Sequence, residues 1–355
     1  NGMDKFTKIL NEYHEYDTSL HQRLIDLRNL ILNFEDLEKY SSKINEIERE
    51  ITIFHGKIIN QISLKYDDKI DLIGFHGQTI YHNPGKKITK QLGDGKLLSQ
   101  LIKKRVIFDF RQEDIKNNGQ GAPLTPIFHN LVSKYINKQN QIQFPIGFIN
   151  IGGISNITKV LRGNGKIEEN LEAFDSGPGN CLIDEWIRVN SKKKFDNEGL
   201  IAQSGKIDQL ILNQAIDNFE IQSYDKSLDI KNFDISFARG LSFEDGCATI
   251  TSFTAYLIAK GIEYSNKDKS KNIKYLICGG GRKNNFLINC IKDYSSNQTN
   301  ISLDIIDNYK YDGDYIESQA FGYLAIRSFL NLPISFPKTT GCDKPTVGGK
   351  IIENF

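Results

Sequence analysis

Cysteine is sparse and scattered. The five residues Cys181, Cys247, Cys278, Cys290 and Cys342 form no C-x-x-C pair, which fits neither a disulfide framework nor a zinc site. Free thiols in a reducing compartment follow, and with them an expected cytoplasmic setting. No window approaches the roughly 18 consecutive apolar residues of a membrane-spanning helix. The first residues have neither the basic start nor the apolar core of a secretory leader, so none is expected. Excess charge is also missing: 45 Lys+Arg stand against 44 Asp+Glu, which argues against a nucleic-acid surface. Proline is rare, at 8 residues, and there is no low-complexity linker, so the domains are expected to be packed rather than strung out. No G-x-x-x-x-G-K-S/T occurs, which excludes a P-loop NTPase.

What is present is α/β texture. A length of 355 residues predicts two domains. Ile44, Ile47, Ile51, Phe54, Ile58 and Ile62 recur at helical spacing and stop too soon for a coiled coil. Beyond Ile70, short apolar runs end in glycine or polar turns. They span 71–75, 79–82, 106–110, 147–151, 155–161, 275–278 and 301–306, and helix-period segments lie between them at 200–218, 245–264, 284–294 and 315–330. The run 148–161 followed by Gly163-Asn164-Gly165 predicts an antiparallel meander before the next helix, hence mixed sheets rather than a barrel. A boundary is expected near Pro123–His129.

Four segments place glycine beside polar side chains just after a predicted strand, where open α/β sheets bind ligands. In Gly74-Phe75-His76-Gly77-Gln78-Thr79, His76 and Gln78 suit hydroxyl groups, or the segment is a tight turn with a satisfied histidine. Arg111, after Asp109-Phe110, suits bidentate capture of a carboxylate or phosphate; pairing with Asp109 or Asp114 is the alternative. The run Gly119-Gln120-Gly121-Ala122-Pro123 reads as a shaped loop or hinge. Asn150-Ile151-Gly152-Gly153 reads as a glycine hairpin offering amides to phosphates. Phe174-Asp175-Ser176-Gly177-Pro178-Gly179-Asn180 puts an acid at a strand end before a helix at 181–189, an anion site with Asp175 as general base, metal ligand or simple turn cap. Cys278-Gly279-Gly280-Gly281 permits close approach by a base or ribose but lacks the G-x-G-x-x-G pattern. Glu317 opens a helix after Asp312-Gly313-Asp314, where an acid also complements the helix dipole.

In order and together, GFHGQTIYHNP, QLGDG, DFRQED, GQGAPLTPIFH, NIGGISNIT, FDSGPGN, FDNEG, DGCAT, CGGGRKN and GDYIESQAF resemble the anhydro-N-acetylmuramic acid kinase family over nearly the whole chain. The resemblance implies the actin-like ATPase and sugar-kinase fold: two α/β, ribonuclease-H-like domains with mixed sheets around a central cleft. The first domain would take 1–128 with 318–355, and the second 129–317. It implies ATP-dependent phosphorylation of the 6-oxygen of 1,6-anhydro-N-acetylmuramic acid with hydrolytic opening of the anhydro ring, in cell-wall recycling, by a homodimer using Mg2+. By the same match Asp175 is the catalytic base. Arg111 and Glu317, with His76 and Gln120, are sugar-site residues; Gly152, Gly153, Asn180, Gly279, Gly280 and Gly281 form the nucleotide site. Metal ligands are not assigned.

Two departures from the family form bear on this. Lys226-Ser227-Leu228-Asp229-Ile230-Lys231 replaces the usual Lys-Ser-Thr-Gly-Arg-Glu. The first phosphate motif, Gly-Thr-Ser-x-Asp-Gly, is absent, so an N-terminally truncated chain is expected, entering the pattern at a turn before a strand over 6–13. Another amino-sugar kinase, or an inactive sugar-binding module, is the alternative reading.

Overall fold

The stripe of Ile44, Ile47 and Ile51 is the buried face of a helix spanning Ser41–Lys65, preceded by a helix over Thr18–Leu30 whose N-cap Asp17 accepts from the Leu20 amide. The computed structural model describes residues 1–65, 70–219 and 223–355. Its strands are β1 (Leu72–Phe75), β2 (Gln78–Asn83), β3 (Ile88–Leu92), β4 (Arg105–Phe108), β5 (Ile146–Ile151), β6 (Ile154–Val160), β7 (Leu171–Pro178), β8 (Ile273–Cys278), β9 (Ile301–Ile305) and β10 (Lys350–Ile352). Two compact units result, one made of Asn1–Leu131 with Ser318–Phe355, the other of Val132–Glu317.

In the first unit β1 runs parallel to β4, which pairs antiparallel with β10, while β2 and β3 form a separate hairpin. Leu27, Ile51, Leu92, Leu98 and Val106 meet in its core. Burying each such side chain contributes about 1.5–3 kcal/mol. The second unit is a five-stranded sheet in the order β7-β6-β5-β8-β9. Strands β5, β6 and β7 form the antiparallel meander read from the sequence, and β8 and β9 extend it in parallel on the β5 side. This is a ribonuclease-H-like mixed sheet. Its largest covering element is the helix Phe243–Ser265, begun by the N-cap Ser242 and buried along most of its length because its inner positions are small or aliphatic. Trp186, Leu182 and Ile258 lie in the same core.

Three sequence expectations are corrected. Residues 6–13 form no strand: Ile9, Leu10 and Tyr13 are exposed, and the segment follows an anchor made by Phe6, edge-on to Phe128, and by the Tyr323 hydroxyl on the Met3 carbonyl. The helix expected over 200–218 is two helices, Leu200–Ser204 and Gln209–Asn218. They break at Gly205, where a Cβ would stand 2.1 Å from the Glu244 carbonyl oxygen, and the second restarts on the N-cap Asp208. Finally, Asp175 is not at a strand end. β7 continues to Pro178, carried through a register shift opposite Ser155 and Asn156.

Candidate active site

In the second unit the carboxyl ends of β5 and β8 lie side by side, with Asn150 in register with Cys278. That edge is where open α/β sheets hold ligands. Gly279 leaves β8 at φ +80°, and a Cβ there would sit 2.6 Å from both Asn150 Oδ1 and the Ile151 carbonyl oxygen, so only glycine fits. A Cβ on Gly280 would be 3.7 Å from Asn180 Nδ2, and one on Gly281 3.0 Å from Asn180 Oδ1. Asn180 therefore borders the triple-glycine turn, and its side chain makes no capping bond to the helix it precedes, Cys181–Asn190. The structure thus gathers Gly152, Gly153, Asn180, Gly279, Gly280 and Gly281 at one sheet edge.

How these groups are wired differs from the expected anion nest. The amides of Gly179 and Cys181 donate to the Gly153 carbonyl at 2.9 and 3.2 Å, and that of Asn180 to the Gly152 carbonyl at 2.7 Å. The amides of residues 179–181 are spent bracing the hairpin tip. Gly153 keeps open space around it, with nothing within 4 Å of an added Cβ.

Asp175 is 6% exposed, and its Oδ2 accepts from the Leu228 amide at 2.9 Å. The stretch 226–231 that departs from the family form thus touches this carboxylate. Beneath it the Ser155 and Ser176 hydroxyls are bonded at 2.8 Å, fully buried. Burial pushes the Cys278 thiol up to about 12, with Glu317 and Asp307 adding to the effect against Arg282, so this cysteine is an inert neighbour of the turn. Glu317 itself is exposed in the first turn of the helix Ile316–Phe329.

Arg282 was not singled out by sequence. Its guanidinium is 6% exposed and spreads over Asp307 at 2.7 and 3.0 Å, Asp314 at 2.6 Å, Asp312 at 3.4 Å and the Gly279 carbonyl at 3.1 Å. Burial opposes its charge, but the bonds to Asp307 and Asp314 win and raise its pKa further. The glycine turn is thereby bolted to the loop 307–314. The available signal was an arginine directly after the glycines, with an acid-rich stretch some 25 residues on.

The first unit holds a second cluster. Arg111 donates through Nη1 to the Gly121 carbonyl at 2.8 Å, and through Nε and Nη2 to His76 Nε2 at 3.2 and 3.0 Å. His76 Nδ1 is 2.9 Å from the Gly77 carbonyl, so the ring is the neutral Nδ1–H tautomer, an acceptor toward Arg111. Burial, then the Arg111 charge, lowers His76 to about 3. Asp114 does not pair with Arg111 in this network. Fully buried, it accepts from the Gly121 amide and from the Thr340 hydroxyl, both at 2.7 Å, while the Gln120 amide donates to the Thr340 carbonyl at 2.7 Å. Arg111, His76 and Gln120 are therefore brought together, on a loop shaped by Asp114.

Residues 2–354 match the family model described as anhydro-N-acetylmuramic acid kinase. A curated protein of that name from Pelagibacter ubique (strain HTCC1062) is 50% identical over 357 residues, covering 100% of this chain and 93% of the relative. Relatives of the same name from Brucella canis (35% over 330 residues; 92% of this chain, 84% of the relative) and Zymomonas mobilis (36% over 312 residues; 87% and 81%) are similar along most of their length. Among solved structures, the activator of 2-hydroxyisocaproyl-CoA dehydratase from Clostridium difficile with bound ADPNP aligns with 55% of this chain and 64% of its own, at a TM-score of 0.33 and 13% identity, too slight a likeness to carry weight.

Proposed function

From the membership of this chain in the anhydro-N-acetylmuramic acid kinase family, we infer that it transfers the γ-phosphoryl group of ATP to the 6-oxygen of 1,6-anhydro-N-acetylmuramic acid while water opens the anhydro bridge, giving N-acetylmuramic acid 6-phosphate. The observation that carries the site assignment is the gathering of Asn180 and Gly279–Gly281 at one sheet edge, with the buried carboxylate of Asp175 on the neighbouring meander.

Asp175 takes the proton from the attacking water and aims the oxygen at the anomeric carbon, as the base of an inverting glycosidase does. No second carboxylic acid is needed, because the leaving 6-oxygen is captured by the phosphoryl group. The Leu228 amide donates to Oδ2 and fixes the orientation of the carboxylate. Gly279, Gly280 and Gly281 give the nucleotide a surface without side chains, Asn180 offers an amide to it, and Gly152 and Gly153 shape the adjoining hairpin. Phosphoryl transfer asks mainly for such positioning and for charge stabilisation. Arg111 binds the carboxylate of the sugar's lactyl group, with Gln120 beside it, and Glu317 accepts from sugar hydroxyls.

Among the described residues no group of three or more His, Cys, Asp or Glu could hold a metal ion. Mg2+ would arrive on the phosphates and keep most of its water. The ion would neutralise phosphate charge. A cytoplasmic setting is supported by five free cysteines, and no helix among the described residues is long and apolar enough to cross a membrane. The homodimer is carried over from the family alone.

The test is a short incubation of the protein with ATP and the anhydro sugar in 18O-water, read by mass spectrometry. The expected product is the 6-phosphate with one 18O at the anomeric carbon and none in the phosphate. Label in the phosphate, or faster turnover of free N-acetylmuramic acid or glucosamine, would refute the reading.

A further inference from the structure

We propose that His82 is a positioning residue for the sugar site, acting on Arg111 through the loop 119–121; the proposal rests on the reading of Arg111 as a sugar-binding residue. His82 lies on β2, half-buried, with Nδ1 3.0 Å from the Thr89 hydroxyl of β3. It is also hydrogen-bonded to the Gln120 backbone. Because Nδ1 is taken by Thr89, the donor to that carbonyl is Nε2. The ring edge closes on the same peptide: a Cβ on Gly121 would stand 3.3 Å from His82 Cε1. Gly121 is the residue whose carbonyl accepts from Arg111 Nη1 at 2.8 Å, while its amide is held by Asp114 at 2.7 Å.

The loop residues Gln120 and Gly121 are thus held by Asp114 and Thr340 and by His82, and Gly121 receives Arg111. His76 fixes the other arm of the guanidinium. A planar cation held along two edges keeps a fixed orientation, which bidentate capture of a carboxylate requires. His82 touches none of the reacting atoms. Its effect is to hold the loop at the spacing at which Arg111 is aimed.

Removing the Nε2 donor deprives the Gln120 carbonyl of this bond and loosens the loop, a loss large enough to weaken sugar capture by roughly tenfold or more. The experiment compares His82→Leu, His82→Asn and His82→Gln, each alone and in an Arg111→Ala background. KM for anhydro sugar and for ATP are measured separately, and thermal midpoints serve as a folding control. Glutamine places a nitrogen where Nε2 stood; asparagine reaches only as far as Nδ1. The expected result is a tenfold or greater rise in sugar KM for the leucine and asparagine variants, a return to within about threefold for glutamine, and ATP KM within twofold throughout. If the leucine variant does not fold, the glutamine–asparagine contrast decides. Equal sugar KM for those two, or ATP and sugar KM rising together, overturns the proposal. In the Arg111→Ala background the His82 effect should largely vanish. Full additivity overturns the proposal alone, whereas an unchanged sugar KM in Arg111→Ala itself overturns the reading of Arg111 and the proposal with it.

Discussion

Mild acid should unfold the first unit while leaving the second intact. All the histidines of the chain, His14, His21, His55, His76, His82 and His129, fall within Asn1–Leu131. Burial lowers His55 and His82 to about 4 and His76 and His129 to about 3, from an ordinary 6.5, with the Arg111 charge adding to the effect at His76 and His82. A histidine held neutral in the fold contributes stability that is complete above its unfolded value. That stability drains away as pH falls from 6.5 toward the folded value, because the unfolded chain takes up the proton first. At pH 5 each such group has cost about 2 kcal/mol. His129, 1% exposed, bears this in full, and the three half-buried rings bear part of it. A total of about 4–8 kcal/mol rivals the whole stability of a typical domain. In the second unit Asp184 has the opposite sign. Burial raises Asp184 to about 7, with Asp196 adding to it against Arg188, so that group favours the fold increasingly as pH falls from 7 toward 4. Trp186 is the one tryptophan and belongs to the second unit, 5% exposed. Far-ultraviolet circular dichroism should therefore lose part of its helix signal between pH 6 and 4 while Trp186 fluorescence stays native. Coincident transitions, or a Trp186 change that comes first, would refute the reasoning.

Two further predictions concern the second unit. Asp175→Asn keeps an acceptor for the Leu228 amide and should melt like the parent, yet lose about 10²–10⁴-fold in kcat; Asp175→Ala should be as inactive and in addition less stable by about 1–3 kcal/mol, so an active Asn variant in the 18O assay would leave the carboxylate a mere loop anchor. Gly279→Ala combines strain at φ +80° with a 2.6 Å approach to the Ile151 carbonyl oxygen and should cost about 2–6 kcal/mol in urea unfolding, whereas Gly153→Ala, with open space around it, should stay within about 0.5; equal costs would count against the geometry of the turn.

Local pattern was enough to read the meander of β5, β6 and β7, the strand into Cys278 and the long helix after Ser242, since each is written as a period or a cap within its own residues. Local pattern failed wherever the decisive partner lay far along the chain. Nothing near Gly177 announces that β7 runs on past Asp175, because the continuation depends on pairing with Ser155 and Ile154. The helix N-terminus at Cys181 looked open from sequence, and only the fold brings the Gly152 and Gly153 carbonyls onto its amides. His82 and Gln120 are 38 positions apart, and Arg282 meets Asp307 across 25, distances over which spacing carries no signal. The segment 6–13 has a strand's composition but, among the described residues, no ladder to join.

Because the unit Val132–Glu317 is one uninterrupted stretch while its companion is assembled from both ends of the chain, the two become foldable at different moments of biosynthesis. As the polypeptide leaves the ribosome, every residue of the β5–β9 sheet is available once position 317 has emerged. The other unit must still wait for Arg327, which bonds the Gly2 carbonyl at 2.7 Å, and for β10, which covers one edge of β4. Until then β4 offers bare backbone to any passing strand, the condition under which nascent chains need holding by chaperones. Gly279–Gly281 are thus in place before Arg111 has a finished sheet behind it.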